Sequence, residues 1–96
     1  MGDMTDRHDA DHALRAMADA AAADVKGDFP GSDVNYDLYV DEVNMRLWGK
    51  TRTWLIGVID MGELFQAAFV WERDHWTLLD GNPVEMRDTI VAHRSS

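Results

Sequence analysis

Apolar residues recur at two different spacings along the chain, and the change between them predicts an α+β fold. Over residues 6–25 the spacing is three or four, as on one face of a helix. Thr5 suits the N-cap, and Lys26-Gly27 suits the helix end. The apolar stripe is Ala10, Ala13, Leu14, Met17, Ala21 and Val25. Because it is mostly alanine, we expect this helix to lie close to the surface that it covers.

After a turn at Pro30-Gly31 the spacing becomes two, which is typical of a half-buried strand. The first apolar set is Val34, Tyr36, Leu38 and Val40, and beyond Asp41-Glu42 it becomes Val43, Met45 and Leu47. A change of one residue moves the apolar set to the other face of a strand. We therefore predict a hairpin turn at Asp41-Glu42, with a β-bulge as the alternative.

The rest of the chain predicts further strands and a second helix. Residues 51–60 are apolar on both faces, as in a central strand. Residues 64–72 predict a strand, with a helix as the alternative, and residues 76–79 a short strand. Asn82 and Glu85 match a capping box around Pro83, so a helix follows over residues 83–93. We expect it to turn Met86, Ile90 and Val91 inward.

These elements predict an N-terminal helix packed across one face of a four- to five-stranded antiparallel meander, and a short C-terminal helix. We expect one domain over residues 1–96, with residues 1–5 disordered and residues 94–96 forming a frayed tail.

Charge divides the chain into two unlike halves. Residues 1–45 hold eleven acidic and three basic side chains, whereas residues 46–96 hold seven and six; the net charge of the whole is −9. All four tryptophans lie in the second half. A strongly negative protein is repelled by nucleic acid and by anionic membranes. We therefore expect a protein partner with a basic surface.

The composition also limits compartment and chemistry. The chain has no cysteine, so disulfides and thiolate chemistry are excluded. The N-terminus lacks the pattern of a signal peptide, and the longest uncharged apolar run covers only residues 53–59. From these features we expect a cytoplasmic protein that takes no cofactor.

His8 and His12 are the strongest metal candidates in the sequence. On a helix they lie one turn apart on one face, as two zinc ligands require. With Asp9 between them, the string resembles the helix signature of metalloproteases, in which a glutamate occupies that position. The alternative is a pair of solvated histidines, and the sequence offers no third ligand.

The sequence predicts no catalytic residue. Asp37 with Asp41 or Glu42 could form a carboxylate pair, but these positions predict an exposed strand face and a turn, whereas catalysis needs one carboxyl desolvated. Asp74-His75 predicts a turn between strands. There is no nucleophile elbow and no glycine-rich phosphate loop.

The tryptophans have two interpretations. Trp48, Trp54, Trp71 and Trp76 are either core residues or, where exposed, parts of a contact patch near Tyr39 with arginines nearby. The position of Trp48 at a strand end predicts exposure. The predicted partner-binding surface consists of Asp33, Asp37, Tyr39, Asp41, Glu42 and Trp48.

The leading hypothesis is a small acidic, non-enzymatic protein that binds another macromolecule, as an inhibitor or adaptor on a basic, nucleic-acid-binding surface. Its composition is similar to that of nucleic-acid-mimicking inhibitors of phages and mobile elements, and an immunity-type protein is another version. The apolar strand at residues 51–60 would also allow a homodimer.

Two other functions stay open. The order of elements resembles cystatin-like and NTF2-like domains, and residues 69–79 look like the closing hairpin of many NTF2-like domains. That resemblance implies a small-molecule or isomerase site, with Tyr36, Asp37 or Tyr39 as candidates. The third is a structural or assembly subunit in which the acidic half serves solubility.

Overall fold

The computed structural model describes residues 2–31 and 33–95, with side chains from residue 7 to residue 94 in these ranges. The elements in chain order are α1 (Gly2–Asp28), β1 (Asp37–Leu47), β2 (Lys50–Asp60), β3 (Gln66–Glu72), β4 (His75–Leu78) and α2 (Pro83–Ser95). The predicted α+β architecture is confirmed. Met1 and Ser96, at the tips of the terminal segments predicted to be disordered and frayed, lie outside the described residues.

The four strands form an antiparallel meander in the order β1-β2-β3-β4. Its two faces carry different helices. The alanine stripe of α1 packs with Val40, Ile59, Phe69 and Trp76 on one face, whereas Ile90 of α2 packs with Val43, Ile56 and Val70 on the other. The molecule therefore has three layers, with the sheet between the predicted N-terminal and C-terminal helices.

The predicted interruption at Asp41-Glu42 is wrong. β1 runs through these residues, and its pairing with β2 continues without a bulge from Asp37↔Asp60 to Leu47↔Lys50. The apolar parity changes because Leu38 and Val40 face α1, whereas Val43 and Met45 face the layer of α2. One continuous strand thus contributes to both cores. The resulting change in its apolar spacing is the same change that a turn would produce.

The centre of the sheet under α1 is filled. Gly57 lies there, and a Cβ atom at this position would come within 2.9 Å of the Trp76 ring and 3.0 Å of Leu14 Cδ2. The Trp76 indole also donates a hydrogen bond of 2.8 Å to the Ala10 carbonyl, which ties α1 to the edge strand β4. Because Gly57 has no side chain, α1 and the Trp76 indole can approach β2 closely.

The remaining predictions differ from the structure mainly at element boundaries. α1 begins at Gly2, so Thr5 lies inside the helix instead of capping it, because the helix extends beyond the stripe that touches the sheet. Residues 66–72 are a strand. Asn82 caps α2, since its Oδ1 accepts the Val84 amide at 2.9 Å. Val91 is exposed, because Ile90 and Met86 already fill the contact with the sheet.

Neither α1 nor α2, in the part of the chain that the structure describes, has a stretch apolar enough to cross a bilayer.

Candidate binding surfaces

The six residues of the predicted partner-binding surface are spread over both ends and both faces of β1. Asp33 and Asp37 are exposed before and at the start of β1, and Trp48 is at the opposite end of that strand. Tyr39 and Asp41 face the layer of α2, whereas Glu42 points to the other side of the sheet. They do not form one continuous patch.

Tyr39 and Asp41 are engaged by α2. Arg94 Nε lies 3.6 Å from Asp41 Oδ2, and the Arg94 guanidinium lies 5.9 Å from the centre of the Tyr39 ring. Arg94 Nη2 also donates to the Val40 carbonyl at 2.9 Å, and so does Arg7 Nη2 of α1, at the same distance. Two arginines from opposite faces of the sheet thus donate to one carbonyl of the edge strand β1. Because charged side chains cover this edge, pairing with a further strand is disfavoured.

Part of β2, the apolar strand that would allow a homodimer, is enclosed within the sheet, whereas over Lys50–Leu55 it pairs with β1 alone. From Ile56 to Asp60, β2 pairs with β1 on one side and β3 on the other. Its two faces contribute to the cores of α1 and α2. A homodimer stays a prediction.

One end of the sheet is rich in unpaired carboxylates. This carboxylate end consists of the segment that joins α1 to β1, the start of β1, and the loops at residues 61–65 and 79–82; none of these segments contains lysine or arginine. Its exposed acids have no ion-pair partner among the described residues. They are Asp28, Asp33, Asp37, Glu63 and Asp80.

Asp60 is the one buried carboxylate in the described part of the chain, and it is fully partnered. Arg87 Nη1 donates to Asp60 Oδ2 at 2.8 Å, and the Gly62 amide donates to Oδ1 at 2.9 Å. The bond from Arg87 lowers the pKa of Asp60, helped by the Gly62 amide and opposed by burial. A general acid needs the opposite shift. Asp60 is therefore a structural anchor between β2 and α2.

The three candidates for a small-molecule site do not converge. Tyr36 packs with the core under α1, whereas Tyr39 packs with the core under α2, and Asp37 is exposed. The Tyr36 hydroxyl donates to Asp19 of α1, and this hydrogen bond raises the pKa of Tyr36. This hydrogen bond holds the residues just before β1 against α1.

The tryptophans divide between core and surface. Trp54 and Trp76 are buried, at 6% and 9% exposure, and their indoles donate to the carbonyls of Met45 and Ala10. Trp71 is half-buried against Trp76. Trp48 is 57% exposed, as predicted from its place at a strand end.

The end of the sheet opposite the carboxylates has the reverse charge. This hairpin end consists of residues 43–55 and the β3–β4 turn at residues 73–74. Residues 43–59 contain no acidic side chain but hold Arg46, Lys50 and Arg52. From Lys50 to Leu55, β2 pairs with β1 alone, so the hairpin extends past the start of its pairing with β3.

Trp48 and Gly49 form the two-residue turn at the hairpin tip, with φ values of 51° and 77°. Positive φ at both positions is the geometry of a type I′ turn, and a bulky side chain there costs about 1–2 kcal/mol. The Trp48 ring meets the Trp54 ring edge-on at 5.6 Å, and the Arg52 guanidinium lies 4.5 Å from the Trp54 ring centre. The tip is thus a cationic and aromatic surface.

A groove of about 240 Å³ lies between α1 and the hairpin end, and we call it the hairpin-end groove. Two of its lining residues carry buried donors without an acceptor: Arg7 Nε and Trp71 Nε1. They are the two buried side-chain polar atoms without a hydrogen bond in the described part of the chain. Such a group costs about 1–3 kcal/mol. The other lining residues are Glu42, Arg52, Thr53, Leu55 and Arg73.

Sequence reasoning missed this groove. Arg7 is distant in the sequence from Trp71 and Arg73, and the packing of α1 on the sheet brings it to them. The absence of acidic side chains from residues 43–59 is the signal that could have indicated the hairpin.

The histidine pair lies in a second groove, of about 360 Å³, beside α1 and the edge of β1. Three arginines and Asp11 share this groove with His8 and His12. Within the described residues, no group of three histidine, aspartate or glutamate side chains could hold a metal ion. The pair therefore has no third ligand there.

Comparison with family models, curated proteins and solved structures finds no match to this chain.

Proposed function

We propose that this protein is a non-enzymatic binding protein that docks its carboxylate end on a macromolecule with a basic surface. The observation that carries the proposal is the set of exposed acids at that end, which lack ion-pair partners among the described residues. A carboxylate without an internal partner keeps its charge available to an external one. A surface of this kind steers a basic partner into contact and repels acidic competitors.

The segment between α1 and β1 supplies the main contact. Asp33 lies within it, Asp28 ends α1 just before it and Asp37 begins β1 just after it, and no basic residue occurs from residue 27 to residue 45. A row of carboxylates can occupy positions that phosphates take on a nucleic-acid-binding protein. The proposed partner is therefore a protein of that class, and the proposed role is that of an inhibitor or adaptor.

The test is a quantitative capture experiment in lysate of the source organism, with the full chain immobilised. We expect a basic protein to be captured at about 50 mM salt and lost at about 500 mM, because exposed charges are screened at high ionic strength. The triple variant Asp28→Asn, Asp33→Asn, Asp37→Asn should lose it at low salt as well.

A matched variant separates local charge from total charge. Asp9→Asn, Asp74→Asn, Glu85→Gln removes the same number of charges at exposed positions elsewhere, and we expect it to retain the partner. Equal loss in both variants, or capture that is indifferent to salt, would contradict docking through the carboxylate end.

A further inference from the structure

Two of the residues that line the hairpin-end groove carry buried N–H donors without a hydrogen bond. They are Trp71 Nε1 and Arg7 Nε, both shielded from solvent. Arg7 Nε lies 3.4 Å from Asp11 Oδ1, which is close enough for charge attraction but lacks the geometry of a hydrogen bond. Buried donors in native proteins are normally satisfied, so these two indicate a missing acceptor.

The charge of the lining indicates which acceptor fits. Arg7, Arg52 and Arg73 are among the residues that line the groove, together with one acid, Glu42. The lining therefore carries a net charge of about +2, whereas the whole chain carries −9. Guanidinium groups bind oxyanions through paired N–H donors. A phosphate monoester carries about −1.5 to −2 and several acceptor oxygens, and matches this lining better than a carboxylate with a single charge.

We propose that the hairpin-end groove binds a small phosphate monoester. Its oxygens accept from Arg52 and Arg73 and from the indole N–H of Trp71. Arg52 and Arg73 are exposed, so their side chains can move to admit an oxygen to the shielded indole. The site lies at the opposite end of the sheet from the carboxylate end, so it is independent of the proposed docking surface.

The indole N–H resonances of the full chain provide the test, in a titration followed by two-dimensional ¹H–¹⁵N NMR. The probes are inorganic phosphate and glycerol 3-phosphate, and the resonances are assigned with Trp→Phe variants. We expect a saturable shift of the Trp71 resonance with both. The resonances of Trp54 and Trp76 should stay in place, because these indoles already donate to Met45 and Ala10. Sodium chloride and sodium acetate at equal ionic strength should not reproduce the shift.

Two arginine variants and one control assign the effect to the groove. Arg73→Gln and Arg52→Gln should each weaken phosphate binding by about tenfold or more, the effect of losing a charged hydrogen bond. Arg46→Gln removes the same charge from the same hairpin but outside the groove, and should change binding less than about twofold.

Three results would overturn the proposal: no movement of the Trp71 resonance, an equal shift with chloride, or phosphate binding that survives both groove variants. Binding that is lost in Arg15→Gln instead would place the anion in the groove beside His8 and His12 and would also overturn it.

Discussion

At the carboxylate end the buried Asp60 carboxylate is hydrogen-bonded at both oxygens, whereas at the hairpin end two buried N–H donors make no hydrogen bond. Asp60 is held by Arg87 and the Gly62 amide, and the exposed acids around it face solvent. Trp71 and Arg7 keep unsatisfied N–H groups beside two exposed arginines. The difference teaches that the first end has its buried polar groups satisfied and offers exposed charge, while the second keeps buried donors available for an acceptor.

The largest expected effect compares two neighbouring indoles that pack against each other. Trp76→Phe should destabilise the protein by about 2–3 kcal/mol, because it removes the bond to Ala10 and leaves a void beside Gly57. Trp71→Phe should stay within about 1 kcal/mol of the wild type, because loss of an unsatisfied donor offsets the lost packing. Urea unfolding of both variants measures the free energy of unfolding. An equal loss of unfolding free energy in both variants would mean that the Trp71 N–H has a hydrogen-bond acceptor. The two ends would then not differ in whether their buried polar groups are satisfied.

A smaller effect is expected at the carboxylate end. Asp60→Asn should destabilise the protein by about 2 kcal/mol, because it leaves the Arg87 guanidinium without its buried partner. The control is Asp80→Asn, an exposed acid at the same end without an ion pair, which should change stability by less than about 0.5 kcal/mol.

The pair of Asp60 and Arg87 makes the stability of the protein depend on pH, and the direction of the dependence is defined. Since Arg87 lowers the pKa of folded Asp60 below that of the unfolded chain, the stabilisation is complete above about pH 4 and is lost as pH falls through the lower folded value. The stability gap between the wild type and Asp60→Asn should therefore shrink in acid. A gap that is constant from neutral pH down to strong acid would contradict a structural role for the Asp60 carboxylate.

The sequence predicted the order and type of the elements because periodicity reports which face of each element is buried. It failed at Asp41-Glu42 for a physical reason. A change of apolar parity means a turn only if a strand has one buried face, and β1 has a different face buried in each half. The helix that covers the second half, α2, comes more than thirty residues later in the chain, so no local pattern at β1 reveals it.

The two surfaces differ in how far they could be predicted. The acidity of the segment before β1 is visible in composition, but which of its acids stay unpaired is not, because Asp41, in the same stretch without basic residues, is paired with Arg94. The hairpin-end groove depends on tertiary placement, since Arg7 comes from α1 and Arg73 from the β3–β4 turn. Whether a donor such as Trp71 Nε1 meets an acceptor is decided by distances that no sequence pattern contains.

The most direct test of the account compares the electrostatic potential at the two ends in solution. Paramagnetic relaxation of backbone amides by a cationic and an anionic nitroxide of equal size reports the sign of the local potential. We expect the cationic probe to be enriched at amides of residues 33–37 and 61–63, and the anionic probe to be relatively enriched at residues 46–53. The same ratio of the two probes at both ends would contradict the segregation of charge on which both proposed surfaces depend.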